Sequence, residues 1–198
     1  MDKLREKIFK KSQGSDGLIS TKEIETLGIG KYNIKKFMEE GFLVREAKGI
    51  YSIAKEIADE YAILCKRSQK AVYSYATALF FHNLSDRVPR IIDITLPQGY
   101  NAGRLKKANA NLRIHYVKPE ILTLGMEKIR TPLGSIVKAY NSERCICDII
   151  KNRTKIDKQI FTQAIKTYFT HEYNPLDILK VAKKIGVESE VRKYMEVL

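Results

Sequence analysis

The sequence lacks most of the signatures by which enzymes announce themselves. It has no phosphate-binding glycine loop of the Walker or dinucleotide type, and its glycines are scattered singly. Its three histidines, His82, His115 and His171, lie far apart and make no zincin-like pair. Its three cysteines, Cys65, Cys145 and Cys147, cannot staple a chain of 198 residues, so reduced thiols in the cytoplasm are expected. Cys145-Ile146-Cys147 has no second pair to complete a zinc site. On a helix its two thiols point about 200° apart, which does not suit one shared metal ion, and core cysteines are the reading. No metal and no cofactor are expected. No apolar run nears the ~18 residues that span a bilayer. The opening Met1-Asp2-Lys3-Leu4-Arg5-Glu6 has no signal-peptide core, so a cytoplasmic protein with no membrane partner is expected.

Acidic residues are scarce where they would matter most. Residues 66–118 hold ten Lys or Arg against only Asp86 and Asp93. That is too few to hold a catalytic magnesium ion unless others converge from the C-terminal helices. The one Glu-x-Lys, Glu46-Ala47-Lys48, sits outside this region. A non-enzymatic protein is the main reading, and a nuclease in the C-terminal part is the alternative. A plain transcription factor with a sensing or dimerising domain is another.

What is present is positive charge and enough apolar residue for a core. The formal charge is +13 and hydrophobic residues make up 44%. A polyanion is the natural partner, although solvation alone can account for lysine-rich surfaces.

Residues 1–55 read as a compact module. A charged amphipathic helix over 2–11, with Leu4, Ile8 and Phe9 inward, is broken by Gly14-Ser15-Asp16-Gly17, and Leu18-Ile19 is a stub of strand. Ser20-Thr21-Lys22-Glu23 has the form of a capping box that opens a short helix ending at Gly28. A third helix, about 31–40, is closed by Gly41. Two β-rich runs around Lys48-Gly49 then predict a hairpin. This is the order of a winged helix-turn-helix. At about 100° per residue, Ile34, Phe37 and Met38 share an apolar stripe, with Tyr32, Asn33 and Lys36 opposite and Lys35 on the flank. The acidic pair Glu39-Glu40 falls at the far end. A recognition helix needs this distribution, because its first turns meet base edges. Arg45 and Lys48 mark a wing that would touch backbone phosphate.

Residues 56–198 read as a mixed domain with a small sheet and several helices, so the whole is α+β. A helix is expected over 57–67, with Ile57, Tyr61, Leu64 and Cys65 inward. Another, capped by Ser74, is expected from Tyr75 to about His82. Ile91–Leu96 and Leu112–Val117 read as strands, with the loop 98–103 and the basic patch Arg104, Lys106 and Lys107 between them. A hairpin is expected over 127–140, then helices near 142–152, 158–170, 175–185 and 188–197. Arg144 and Asp148 are one helical turn apart and read as a structural ion pair. Arg87, Arg90, Arg104, Lys106 and Lys107 would give this domain a second polyanion surface, for DNA beside the half-site or for RNA.

Three stretches, in their order and spacing, resemble the AbiEi family, the antitoxins of type IV toxin–antitoxin (abortive-infection) systems. They are Met38–Arg45 with Lys48–Tyr51, Tyr73–Leu84 with Pro89 and Ile92–Pro97, and Ser142–Ile150. The last is similar to the family's Ser-Glu-Arg-Thr…Asp-Leu pattern, with Cys145 in the threonine's place. The resemblance spans nearly the whole chain. It implies a two-domain antitoxin and autorepressor whose winged helix binds inverted repeats in double-stranded operator DNA. It also implies a functional partner, a nucleotidyltransferase-type toxin (AbiEii), counteracted without a stable direct complex. The positive residues it carries to the winged helix are Lys22, Lys35, Lys36, Arg45 and Lys48; Tyr32 and Asn33 come from the helix faces alone. With no heptad seam, a monomer that pairs on DNA is expected.

Overall fold

The computed structural model describes residues 3–54, 57–171 and 173–198. The fold is α+β. The chain separates into two units, Met1–Gln69 with Arg130–Ile136, and Lys70–Ile129 with Val137–Leu198. The domain boundary expected at 55/56 and the helix start expected at Asp2 lie outside the described residues.

In the first unit, α1 (Lys3–Gln13) leads to β1 (Leu18–Ser20), α2 (Thr21–Thr26), α3 (Lys31–Glu39), β2 (Leu43–Ala47), β3 (Ile50–Ile53) and α4 (Glu60–Arg67). The three strands form an antiparallel sheet in the order β1-β3-β2. Ser20 ends the first strand and caps the next helix at once. Its hydroxyl accepts from the Glu23 amide at 3.2 Å, and the Glu23 carboxylate accepts from the Ser20 amide at 2.7 Å. Two of the helix's orphan donors are thereby satisfied. Gly28 and Gly41, both at positive φ, end α2 and α3. Ile8, Ile19, Ile24, Ile34, Phe37 and Leu43 meet in one core, which takes one stripe from each of α1, α2 and α3. The helix expected over 57–67 begins only at Glu60. The buried Asp59 accepts from the Tyr61 amide at 2.9 Å and from the Thr131 hydroxyl, and a capping residue keeps extended backbone. Ile57, expected inward, is 83% exposed.

The second unit is built on a mixed sheet in the order β6-β5-β4-β8-β7. In chain order its elements are β4 (Val72–Tyr73), α5 (Tyr75–Phe81), β5 (Ile92–Pro97), α6 (Gly103–Ala108), β6 (Leu112–Val117), α7 (Pro119–Leu122), β7 (Met126–Arg130) and β8 (Ile136–Tyr140). After them come α8 (Ser142–Lys151), a 3-10 turn Arg153–Lys155, α9 (Lys158–Thr170), α10 (Pro175–Ile185) and α11 (Glu188–Val197). The buried helix α8 is the hub, in contact with α5, α9, α10 and α11. Its Lys151 ammonium donates to the Ile185 carbonyl at 2.8 Å, at the end of α10 that Gly186 closes in the left-handed conformation.

One local expectation is corrected. Ser74 precedes α5, but its hydroxyl meets Thr95 Oγ1 at 2.9 Å and makes no cap bond. The basic patch expected after the loop 98–103 lies on a short helix, α6, anchored by buried Leu105. β4 has only two residues, too few for any periodicity, and was not expected.

Candidate nucleic-acid interface and basic cleft

The first unit displays the residues expected to meet DNA. Lys22, Lys35, Lys36, Arg45 and Lys48 are exposed, Tyr32 is 79% exposed, and Asn33 is half-buried. They are carried by three elements. Ile34 and Phe37 bury one face of α3 and turn Tyr32 and Lys36 outward. Arg45 stands on β2 opposite Tyr51, just before the bulge that Glu46 makes. Lys48 precedes Gly49, whose φ of +76° makes the tight turn and whose carbonyl accepts from the Thr21 amide at 2.9 Å. That bond brings the backbone beside Lys48 to the backbone beside Lys22.

The charges on this unit are not equivalent. Lys35 reaches Glu39 at 3.7 Å and Lys36 reaches Glu40 at 3.8 Å, one helical turn along. Arg5 on α1 also pairs with Glu40. The acidic end of α3 is thus partly neutralised from within. Lys22, Arg45 and Lys48 make no ion pair among the described residues. The Glu-x-Lys motif is part of this hairpin, where the Glu46 carboxylate accepts from the Ser52 hydroxyl.

The second unit contains a cleft of about 890 Å³. Asp93 on β5 forms its floor. It is 1% exposed, its Oδ1 accepts from His115 Nε2 at 2.7 Å, and Arg113 stands 3.7 Å away. Parallel pairing of β5 with β6 sets Asp93 beside Arg113 and Thr95 beside His115. Since strand side chains alternate, all four share one face of the sheet. The Tyr75 ring stacks on His115 at 3.9 Å, and its hydroxyl accepts from the Asn152 amide at 3.0 Å. Burial, reinforced by the Asp148 charge, holds the Tyr75 phenol well above its ordinary range, so it stays protonated. Tyr75 has φ +46° at the first position of its helix, a conformation that costs a residue with a side chain about 1–3 kcal/mol. The ring stack and the Asn152 bond hold it there.

Of the five residues expected to form a second polyanion surface, Arg87 and Arg90 line this cleft, while Arg104, Lys106 and Lys107 are exposed on α6 and do not. Sequence reasoning missed Arg113, His115, Asp93 and Lys155. The strand pattern of 112–117 was visible, but nothing in it shows that β5 lies parallel beside it.

Arg144 and Asp148 pair at 2.9 Å as expected, and the arginine does more than that. It is 1% exposed, donates to the carbonyls of Ile121 at 2.9 Å and Leu124 at 3.1 Å, and lies over the Tyr140 ring. It therefore pins the turn after α7 to α8. Cys145 and Cys147 are core residues, and burial pushes the Cys147 thiol up to about 12.

No family model matches the sequence. No curated protein matches it either. No helix among the described residues is long and apolar enough to cross a membrane. Among solved structures, the fold is similar to that of the RV2827C protein from Mycobacterium tuberculosis, which is 12% identical, with 99% of this chain and 82% of that chain covered and a TM-score of 0.62. At that identity the likeness concerns the fold alone.

Proposed function

We propose that residues 1–55 form a winged helix-turn-helix that binds inverted repeats in double-stranded DNA upstream of its own operon. On this reading the chain is a non-enzymatic autorepressor and antitoxin of the AbiEi kind. The observation that carries the DNA-binding half is the element order α1, β1, α2, α3 and the β2–β3 hairpin, with α3 burying Ile34 and Phe37 and turning Tyr32 and Lys36 to solvent. A helix offered in this way can enter the major groove N-terminus first. Lys22, Arg45 and Lys48, which make no ion pair among the described residues, suit phosphates on either side of the groove. The antitoxin half rests on the resemblance of Tyr73–Leu84 and Ser142–Ile150 to that family.

The test is a gel-shift titration on the DNA upstream of the gene, at two salt concentrations and against scrambled competitor. Specific binding in discrete steps is expected. Lys36→Ala and Arg45→Ala should each weaken it and lower the log–log salt slope by about 0.9. An unchanged affinity and slope in both variants removes the winged-helix reading. Co-expression with an adjacent nucleotidyltransferase gene tests the antitoxin half, for which restored growth is expected.

A further inference from the structure

The cleft of the second unit has a charge balance that specifies a ligand, and the argument from it is independent of the DNA-binding reading. Its walls carry four cations, Arg87, Arg90, Arg113 and Lys155, and two carboxylates, Asp93 and Asp157. Both carboxylates are engaged. Asp93 is held by His115 and Arg113. Asp157 caps α9 through the amides of Gln159 and Ile160 and lies 3.6 Å from Arg87. Arg90 and Lys155 are exposed and have no acidic partner among the described residues. Two positive charges are therefore left over. They suit a dianion, and a phosphomonoester, with a second pKa of about 6, carries close to two negative charges at neutral pH. A phosphodiester carries only one.

The remaining wall is apolar. Val88 and Ile91 are exposed beside the arginines, and Pro89, Ile156 and Ile160 continue the surface. Polar hydroxyls set against such a wall would lose their hydrogen bonds to water, whereas a flat heterocycle can lay its ring face on it and keep its polar edge in water. The volume falls within the roughly 300–1,000 Å³ typical of small-molecule sites. The geometry points to a binding site for a nucleoside monophosphate, either free or as the phosphorylated end of a strand. Its phosphate is held between Arg90 and Lys155, and its base lies on the Val88–Ile91 and Ile156–Ile160 wall. The Asp93–His115–Tyr75 stack forms the floor, with the His115 ring oriented by the buried carboxylate.

Isothermal titration of the full chain tests this with four ligand sets: the nucleoside 5′-monophosphates, the matching nucleosides, the 3′,5′-cyclic monophosphates and inorganic phosphate. The open monophosphate is expected to bind at least about tenfold more tightly than each of the others, because only it offers both the dianion and the base. The double variant Arg90→Ala/Lys155→Ala, at two exposed positions, is expected to unfold at the wild-type temperature and to lose that preference. Equal affinity for the cyclic and open phosphates, equal affinity for inorganic phosphate, no monophosphate binding at millimolar concentration, or an unaffected double variant would each overturn the assignment. A trinucleotide with and without its 5′ phosphate separates the two sources. Phosphate-dependent binding tighter than that of the monophosphate identifies a strand end, and weaker binding identifies the free nucleotide.

Discussion

His115 Nε2 donates to Asp93 Oδ1 at 2.7 Å, and the carboxylate that receives this bond is almost sealed from water. Each partner is left in difficulty without the other, but unequally. Removing the imidazole strands a buried carboxylate with only Arg113 nearby. Removing the carboxylate strands a half-buried ring that can still find water. His115→Ala is therefore expected to cost about 3 kcal/mol, and Asp93→Ala about 1–3 kcal/mol. The double variant should cost clearly less than the sum. Urea unfolding of the four proteins measures the coupling, and strict additivity would show that the bond contributes nothing to the fold.

Arg144 is the second buried charge whose loss should be large. It donates to Asp148 and to two carbonyls, and lies over Tyr140. Arg144→Ala leaves Asp148 unpaired in the interior, which is expected to cost about 3–5 kcal/mol. Arg144→Lys keeps the charge but not the fork that reaches the acid and both carbonyls together, so only partial recovery is expected. A urea midpoint close to wild type in Arg144→Lys would mean that charge alone suffices.

Glu23 gives the first unit an acid limb. Burial pushes its carboxyl up, but the hydrogen bonds from Lys66 and from the Ser20 hydroxyl and amide together outweigh this and bring it below its ordinary 4.5. The folded form thus holds its proton less readily than the unfolded chain. This contribution to stability is present above about pH 4.5 and is lost as the pH falls through the folded value. Glu23→Gln is expected to be less stable by about 1 kcal/mol at pH 7, and its thermal midpoint should fall less steeply between pH 5 and pH 3. Parallel acid limbs in the two proteins would contradict this assignment.

Gly125 marks a close approach of chain segments. Its φ is +70°, and an added Cβ would meet Asn141 Oδ1 at 2.6 Å and Arg144 Cβ at 2.7 Å. Both neighbours are held, Asn141 as the cap of α8 and Arg144 by its own bonds. Gly125→Ala therefore combines a disfavoured backbone with an overlap that cannot relax, and a loss of about 2–4 kcal/mol is expected in urea unfolding.

What was legible in the sequence is what short stretches decide. The Ser20-Glu23 box, the glycines after α2 and α3, and the i, i+4 pair Arg144–Asp148 are complete within a few residues, so residue type and spacing suffice. The cleft is different. Asp93 meets His115 only because β5 and β6 run parallel, with α6 and its flanking loops between them, and no local period encodes that pairing. Lys155 joins them from a turn much further along the chain. The helix expected over 57–67 exceeds the observed one at its start because Ile57 fits the period. The competing signal was Asp59, whose buried carboxylate is engaged as a cap.

Tyr32 offers the sharpest separation of folding from function. It sits in the first turn of α3 with 79% of its surface exposed, and the residues that anchor the helix are Ile34 and Phe37. Truncating a side chain that touches so little should change stability by no more than about 0.5 kcal/mol. If α3 enters a groove, the same truncation removes an aromatic contact near the bases, and operator affinity is expected to fall by about tenfold with the salt slope unchanged, since no phosphate charge is lost. Lys48→Ala should do the reverse, lowering the slope while keeping the preference for operator over scrambled DNA. Thermal melts and salt-dependent gel shifts on both variants decide the matter. Tyr32→Ala binding as wild type would take base recognition away from this face of α3, and Lys48→Ala with an unaltered slope would take the hairpin off the phosphate backbone.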